Sequence, residues 1–437
     1  MNSTVVRFAP SPTGPLHIGG ARTAIFNVMF AMKNNGTCIL RIDDTDKTRS
    51  NDKYINDIIN SLNWLGLVFQ ETYRQSERFE IYDEMIEQLI KKGMIYSQKS
   101  EKGEALIFKA EKKPICFNDI IRGAISIDAT EIEDFVVRKS DGTPTYLFAS
   151  VIDDIDMGVT HIIRGEDHIS NTFRQILLFE AITPSYIPAF AHLPLIQSMD
   201  GAKLSKREGA ISVLDFKMEG FLPEALLNTL FLLGWSPGGE EEILNFKEAS
   251  KRFSLKNVSK NAAKFSYEKA LWINSQYIKK ASPHEIIKAC KDIGVKEILH
   301  YESADKQKLL EAIELTKSRP RRVIDFVKCI SFFFEPHIHI KQEIRDKYLS
   351  DKLSLVPLLE DIKKIIIETN PFKKDIIEKR LRSLCQSKGL KAKDVFVPLR
   401  VVLTGQDVTP GIFDVIELMG KHLCIKRLID FLYQNKE

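Results

Sequence analysis

The stretch that most constrains this chain lies at its start: Arg7-Phe8-Ala9-Pro10-Ser11-Pro12-Thr13-Gly14-Pro15-Leu16-His17-Ile18-Gly19-Gly20. Val5 to Ala9 is β-branched and aromatic and stops at a proline, the pattern of a short buried strand. Pro10, Pro12, Gly14 and Pro15 forbid regular structure and stiffen a sharp loop. From Ile18 to Met32, good helix formers with apolar residues at Ile25, Phe26, Met29 and Phe30 predict a helix that opens on two glycines. Strand, rigid loop and glycine-opened helix is a geometry that aims backbone N–H groups at an anion. His17 sits at the helix mouth, where a donor can follow charge developing on a phosphate. Gly19 and Gly20 carry no Cβ, so a flat base could lie against the backbone. Taken alone, the same residues also suit a capped helix after a proline-rich loop.

A second stretch, Asp200-Gly201-Ala202-Lys203-Leu204-Ser205-Lys206-Arg207-Glu208-Gly209, places three cations between two glycines. Paired with the first motif it reads as a lid that brings Lys206 onto a triphosphate and offsets the charge of departing pyrophosphate. Between them, Cys38 to Ile42 reads as a second buried strand closed by Asp43-Asp44-Thr45-Asp46. Carboxylates at the end of an α/β strand lie where such sheets put ligands, and they also suit the N-terminus of the helix predicted from Thr48 to Leu65. Arg7 and Arg41 lie on or beside strands, where an unpaired guanidinium is costly. Asp153 and Asp154 suit either an ion site or a structural role, and the weight falls on the structural one. The sheet is expected to resume at Phe135–Arg138 and to continue through Tyr146–Ile152, and Ile162-Ile163 reads as a strand ending in Arg164 and Gly165, with Ser170 or Asn171 capping the next helix.

The two motifs together resemble the paired signatures of class I aminoacyl-tRNA synthetases, and the wording of the first is similar to the bacterial glutamyl-tRNA synthetases. The resemblance runs from about Val5 to Leu432. It implies an α/β fold with a Rossmann-like nucleotide-binding catalytic domain, interrupted by a short insertion and followed by an all-α anticodon-binding region. The divisions it implies are 1–84 and 146–190 for the catalytic halves, 85–145 for the insertion that receives the acceptor end, 191–300 for a stem-contact domain carrying the Lys203–Arg207 loop, and 301–437 for the anticodon-binding domain. It gives His17 and Lys206 the catalytic roles, and Ala9, Ser11, His17, Gly19, Gly20, Lys203 and Lys206 the contacts with ATP. It gives Arg7, Asp43, Tyr146 and Arg164 the contacts with glutamate. An arginine fork suits a carboxylate because it donates parallel charged hydrogen bonds. His168 is placed near the nucleotide or at a helix cap. Where this chain has Asp43 the family commonly has Glu. Relatives also commonly carry a longer insertion with zinc ligands, whereas this one offers Cys116 and no His between Tyr96 and Phe117. A tetrahedral site cannot be assembled from that, so no structural zinc is expected.

Composition separates the two ends of the chain. Residues 1–250 carry 26 Lys+Arg against 35 Asp+Glu, and residues 251–437 carry 37 against 24. Such asymmetry points to a polyanion, RNA foremost, bound by the C-terminal half. That half reads as helices with recurring basic clusters: Lys279-Lys280, Arg319 with Arg321-Arg322, Lys373-Lys374, Lys379-Arg380-Arg382 and Lys426-Arg427. Six scattered cysteines suit reduced thiols in a cytoplasm, and neither a signal-peptide layout nor a membrane span is expected. The reading is a monomeric cytoplasmic ligase that uses ATP with Mg2+, L-glutamate and the glutamate-acceptor tRNA. The alternatives are a diverged second copy that charges the glutamine-acceptor tRNA with glutamate, and an inactive RNA-binding paralogue.

Overall fold

The computed structural model describes residues 3–46, 50–100, 103–199, 201 and 212–434. It divides into two compact units, Met1–Ile273 and Asn274–Glu437.

The first unit is built on a parallel sheet. β1 (Val5–Phe8) leads through α1 (Ile18–Lys33) to β2 (Thr37–Ile42), then through α2 (Asp52–Trp64) to β3 (Glu71–Arg74). After α3 (Phe79–Lys91) come five antiparallel strands: β4 (Ile95–Ser100), β5 (Gly103–Phe108), β6 (Ile115–Asp119), β7 (Gly123–Ile127) and β8 (Phe135–Arg138). The main sheet is rejoined through α4 (Tyr146–Asp156), β9 (His161–Gly165), α5 (Ile169–Ile182) and β10 (Ala189–Leu193). Its strand order is β10-β9-β1-β2-β3, so the chain reverses direction across the sheet between β1 and β9. Crevices for ligands open at the carboxyl ends of strands at such a point. The insertion folds as a three-stranded sheet, β4-β5-β8, and a β6-β7 hairpin. Ile120 N–H donates to Phe190 O at 2.9 Å, which ties the hairpin's turn to β10.

Strand alternation decides what faces where. Val6 and Phe8 of β1, with Leu40 and Ile42 of β2, join the core that packs under α1. Arg7 and Arg41 alternate with them and so face the opposite side, where α4 lies. Two corrections follow for the predicted elements. Tyr146–Ile152 is the first part of a helix rather than a strand, because Phe148 to Asp154 is buried on every face and shows neither a two- nor a three-to-four-residue pattern. The helix after β9 is preceded by His168 at its N-cap position, not Ser170 or Asn171, and no side chain caps it.

Among the described residues of this unit, Gly36 marks the tightest backbone approach. It joins α1 to β2, and Thr37 N–H donates to Thr4 O at 2.8 Å to start the β1–β2 pairing. A Cβ at position 36 would fall 2.2 Å from Thr4 O.

The second unit is helical throughout, from Pro283–Asp292 to Lys421–Gln434. Pro398 to Thr404 lies within the helix Ala392–Thr404, which carries Pro398 in its interior. Arg427 is a correction to the basic clusters. It is 3% exposed and donates to the carbonyls of Leu403, Phe332 and Glu335, where two helices end. It therefore holds helix C-termini together and presents no charge to a partner.

All three tryptophans (Trp64, Trp235, Trp272) lie in the first unit, so their fluorescence reports its unfolding. Gly36→Ala should lower the urea stability seen by that signal by about 1–3 kcal/mol, since backbone rather than a flexible side chain must yield. An unchanged midpoint would contradict the close approach.

Candidate active site

The floor of the site is a buried charge cluster. Arg41 has no exposed surface and is surrounded by three carboxylates. Its Nε donates to Asp43 Oδ1 at 2.7 Å, its Nη1 to Asp154 Oδ1 at 2.7 Å, and Asp153 Oδ2 lies 3.6 Å away. Asp154 also accepts from Arg7 Nε at 3.0 Å. Asp153 accepts from Arg78 Nε at 2.7 Å, Gln75 Nε2 at 2.8 Å and the Tyr82 hydroxyl at 2.9 Å. These contacts join β1, β2, α3 and α4 through side chains that are mostly buried. Burial alone would push the Asp154 carboxyl up, but Arg7 and Arg41 outweigh it and hold its pKa below the usual range. For Asp43 burial wins over Arg41, and the pKa rises to about 6.

Above this floor, the ends of β1 and β9 and the start of α1 border a cleft of ≈ 480 Å³. Of the residues expected at the site, Arg7, Ala9, Ser11, His17, Gly19, Gly20, Tyr146 and Arg164 all line it, and so does His168. Asp43 does not: Arg41 donates to both of its carboxylate oxygens, at 2.7 and 3.4 Å. The carboxylates following β2 do not cap the next helix, whose N-cap is Asn51. Lys203 and Lys206 lie outside the described residues. The flanks of their loop are placed, however. Pro194, Leu195 and Ile196 line the cleft on one side of it, and on the other Ser212 pairs with His17 while Val213 N–H donates to Leu16 O at 2.9 Å.

At the α1 end of the cleft, His17 is the N-cap of α1, and its Nδ1 accepts from Gly20 N–H at 3.2 Å. The proton of the neutral ring is therefore on Nε2. The glycines have distinct packing reasons. A Cβ at Gly19 would meet the His17 ring at 3.1 Å, and one at Gly20 would meet Leu16 Cδ1 at 2.9 Å. The proline loop is held from behind: Pro10 O accepts from Asp43 N–H at 3.0 Å, and Leu16 N–H donates to Asp57 Oδ2 at 3.3 Å.

At the other end, Arg164 differs from Arg7 in its electrostatics. Arg7 shares Asp154, whereas among the described residues no carboxylate pairs with Arg164. Its Nη2 donates to Thr172 Oγ1 and Gln175 Oε1, each at 2.7 Å. Its Nη1 is buried with no partner. Burial lowers its pKa, countered in part by Tyr146. Arg164 lines the cleft, and a buried cation with one unused donor is complementary to an anion. The Tyr146 hydroxyl lies 3.4 Å from His168 Nδ1, and burial beside Arg164 lowers the His168 pKa to about 4, leaving the ring neutral at pH 7.

Sequence reasoning passed over Arg22, which lines the cleft one helical turn beyond Gly19 and is 3% exposed, with Nε and Nη1 unpartnered. Its place in the first turns of α1 after the glycine pair was the available signal. It also passed over Glu166, which ion-pairs with Arg122 and accepts from Leu195 N–H at 2.8 Å at the cleft edge. Among the described residues no group of three or more His, Cys, Asp or Glu could hold a metal ion. No helix among them is long and apolar enough to cross a membrane.

Residues 3–107 and 99–272 match the family profile for the catalytic domain of class I tRNA synthetases (E and Q), and residues 276–432 match that of an anticodon-binding domain. The glutamate–tRNA ligase of Thermodesulfovibrio yellowstonii is 39% identical, over 97% of this chain and 98% of its own length. The glutamate–tRNA ligase 2 of Caldicellulosiruptor saccharolyticus is 37% identical, over 97% of each chain. A crystal structure of a glutamate tRNA ligase from Elizabethkingia meningosepticum in complex with its amino acid superposes with a TM-score of 0.90. It is 33% identical and covers 100% of both chains.

The raised Asp43 pKa has a measurable sign. The folded chain holds this proton more tightly than the unfolded chain does, so the associated stability is present below pH 3.8 and is lost as pH rises through about 6. Asp43→Asn removes that dependence. Between pH 4 and 7.5 the wild type should lose, relative to the variant, on the order of 2–3 kcal/mol of urea stability followed by tryptophan fluorescence. A gap that stays constant with pH would contradict it.

Proposed function

The chain belongs to the class I tRNA synthetases of the E and Q type, and we propose that it is a glutamate–tRNA ligase serving the glutamate-acceptor tRNA. The observation that carries this reading is the buried, uncompensated guanidinium of Arg164 across the cleft from the His17-Ile18-Gly19-Gly20 helix start. One end suits a carboxylate and the other a triphosphate.

In the first step an oxygen of glutamate's α-carboxylate attacks the α-phosphorus of ATP, and the bond to the bridging oxygen breaks to release pyrophosphate. In the second, a hydroxyl of the tRNA's terminal ribose attacks the carbonyl of glutamyl-adenylate. AMP leaves and the hydroxyl proton is lost. No protein nucleophile is needed, so catalysis comes from positioning and from charge stabilisation. Arg7 and Arg164 hold the amino acid with Tyr146 beside them. Asp43 serves that pocket through Arg41 and Asp154, which set Arg7, rather than by touching the amino group. Ala9, Ser11, Gly19 and Gly20 receive the nucleotide, which enters with Mg2+ on its phosphates. His17, Lys203 and Lys206 stabilise the charge that moves to pyrophosphate. The exposed cations of the second unit, Lys279, Lys280, Arg319, Arg321, Lys373, Lys379 and Arg382 among them, grip the tRNA. The chain works as a monomer in the cytoplasm, without zinc.

Pyrophosphate exchange into ATP, measured with L-glutamate and tRNA present, followed by charging of purified tRNAs at matched salt, tests this. Glutamate-dependent exchange and charging of the glutamate acceptor are expected. Absence of exchange would overturn the enzyme reading, and charging of the glutamine acceptor alone would overturn the choice of tRNA.

A further inference from the structure

Arg164 is held from behind by a second set of hydrogen bonds that the reaction as described does not use. His192 is the register partner of Arg164 on the neighbouring strand β10, and its ring has no exposed surface. His192 Nδ1 lies 2.7 Å from Asp119 Oδ2, and the His192 backbone N–H donates to the same oxygen at 3.0 Å. The other oxygen, Oδ1, accepts from the N–H groups of Ile121 and Arg122 at 2.9 and 2.8 Å. Burial would push the Asp119 carboxyl up, but these donors outweigh it and hold its pKa below the usual range.

An ionised carboxylate only accepts, so the imidazole proton sits on Nδ1 and the lone pair on Nε2. That lone pair receives Arg164 Nε–H at 3.2 Å, with Thr172 Oγ1 3.1 Å away. A second proton on Nε2 would confront the Arg164 N–H, donor against donor. The ring is therefore neutral by geometry. With Nε on His192 and Nη2 on Thr172 and Gln175, the plane of the guanidinium is fixed at two of its three nitrogens. The third, Nη1, is the unpartnered one. Gln175 is itself set, its Nε2 donating to Ser150 Oγ at 2.8 Å. Phe190 lies nearly parallel to the His192 ring, with centroids 6.2 Å apart and planes 9° off parallel.

We propose that His192, locked in its Nδ1–H form by Asp119, is a positioning residue that aims Arg164 Nη1 at a carboxylate of the amino-acid substrate. This rests on the amino-acid role given to Arg164 above. Asp119 is the last residue of β6, so the β6–β7 hairpin of the insertion supplies part of the support for the amino-acid pocket. The hairpin is thus tied into substrate selection as well as into the fold.

Two substitutions separate the halves of the ring. In His192→Gln the amide reaches the place of Nε2 and keeps an acceptor for Arg164. In His192→Asn it reaches only the place of Nδ1, which keeps a donor for Asp119 and leaves Arg164 Nε–H without its acceptor. In pyrophosphate exchange, His192→Asn should raise the KM for glutamate about tenfold or more while the KM for ATP stays within about twofold, and His192→Gln should stay near wild type in both. Equal effects of the two variants on the KM for glutamate, or parallel rises for ATP and glutamate, would overturn the proposal. A crystal structure of the wild-type chain with L-glutamate gives a second readout that does not depend on the variants folding. It should show Arg164 Nη1 on a glutamate carboxylate with Nε still on His192. A guanidinium that has left His192, or that points away from bound glutamate, would overturn the proposal. A wild type without glutamate-dependent exchange would instead count against the functional reading.

Discussion

A guanidinium sealed from water has to be matched by carboxylates, and Arg41 is matched by three. That requirement orders the catalytic unit. Arg7 and Arg41 occupy the same face of neighbouring parallel strands, and the facing helix must bring acids to the spot where both can be reached. Asp153 and Asp154 of α4 do so, and Asp153 is in turn held by Arg78, Gln75 and Tyr82 from around α3. Removing any one partner strands a buried charge. The cluster is therefore a specification of how strands and helices register, whatever its net contribution to stability.

The same cluster sets up a contrast at the cleft. Arg7 arrives there already shared with Asp154, while Arg164 arrives among Thr172, Gln175 and His192, all uncharged partners. One arginine is rigid and largely compensated, and the other is rigid and uncompensated. The cleft thus presents two oriented forks of unequal appetite for negative charge. The helix start with His17, Gly19 and Gly20 lines the same cleft. Pro194 to Ile196 line it as well, and Ser212 pairs with His17 at the helix start.

Much of this was legible in the sequence because proline and glycine leave few options. Pro10 to Pro15 with Gly19-Gly20 fixed the strand–loop–helix at the start, and α1, β2 and β9 lie where the apolar runs put them, whereas β10 was not foreseen. The helix α4 was read as a strand in its first half because a segment buried on all sides has no periodicity to read. Asp43 looked like a ligand because carboxylates at strand ends often are; only the fold shows that Arg41, two residues away, donates to both of its oxygens. Arg427 looked like an exposed cation because a Lys-Arg pair reads the same whether it faces water or caps three carbonyls. The Asp119–His192 contact had no signal at all, since the two residues are 73 apart and meet only when the hairpin folds against β10.

The claim on which the rest depends is that the buried acids act on the substrate through Arg7. The direct test is a double-mutant cycle of Asp154→Asn and Arg7→Gln, read as kcat/KM for glutamate, with the KM for ATP as the check on folding. If Asp154 works by fixing Arg7, each change lowers kcat/KM and the double variant falls no further than Arg7→Gln alone, to within about twofold. Losses that simply multiply would show that the two residues act independently and would contradict the claim.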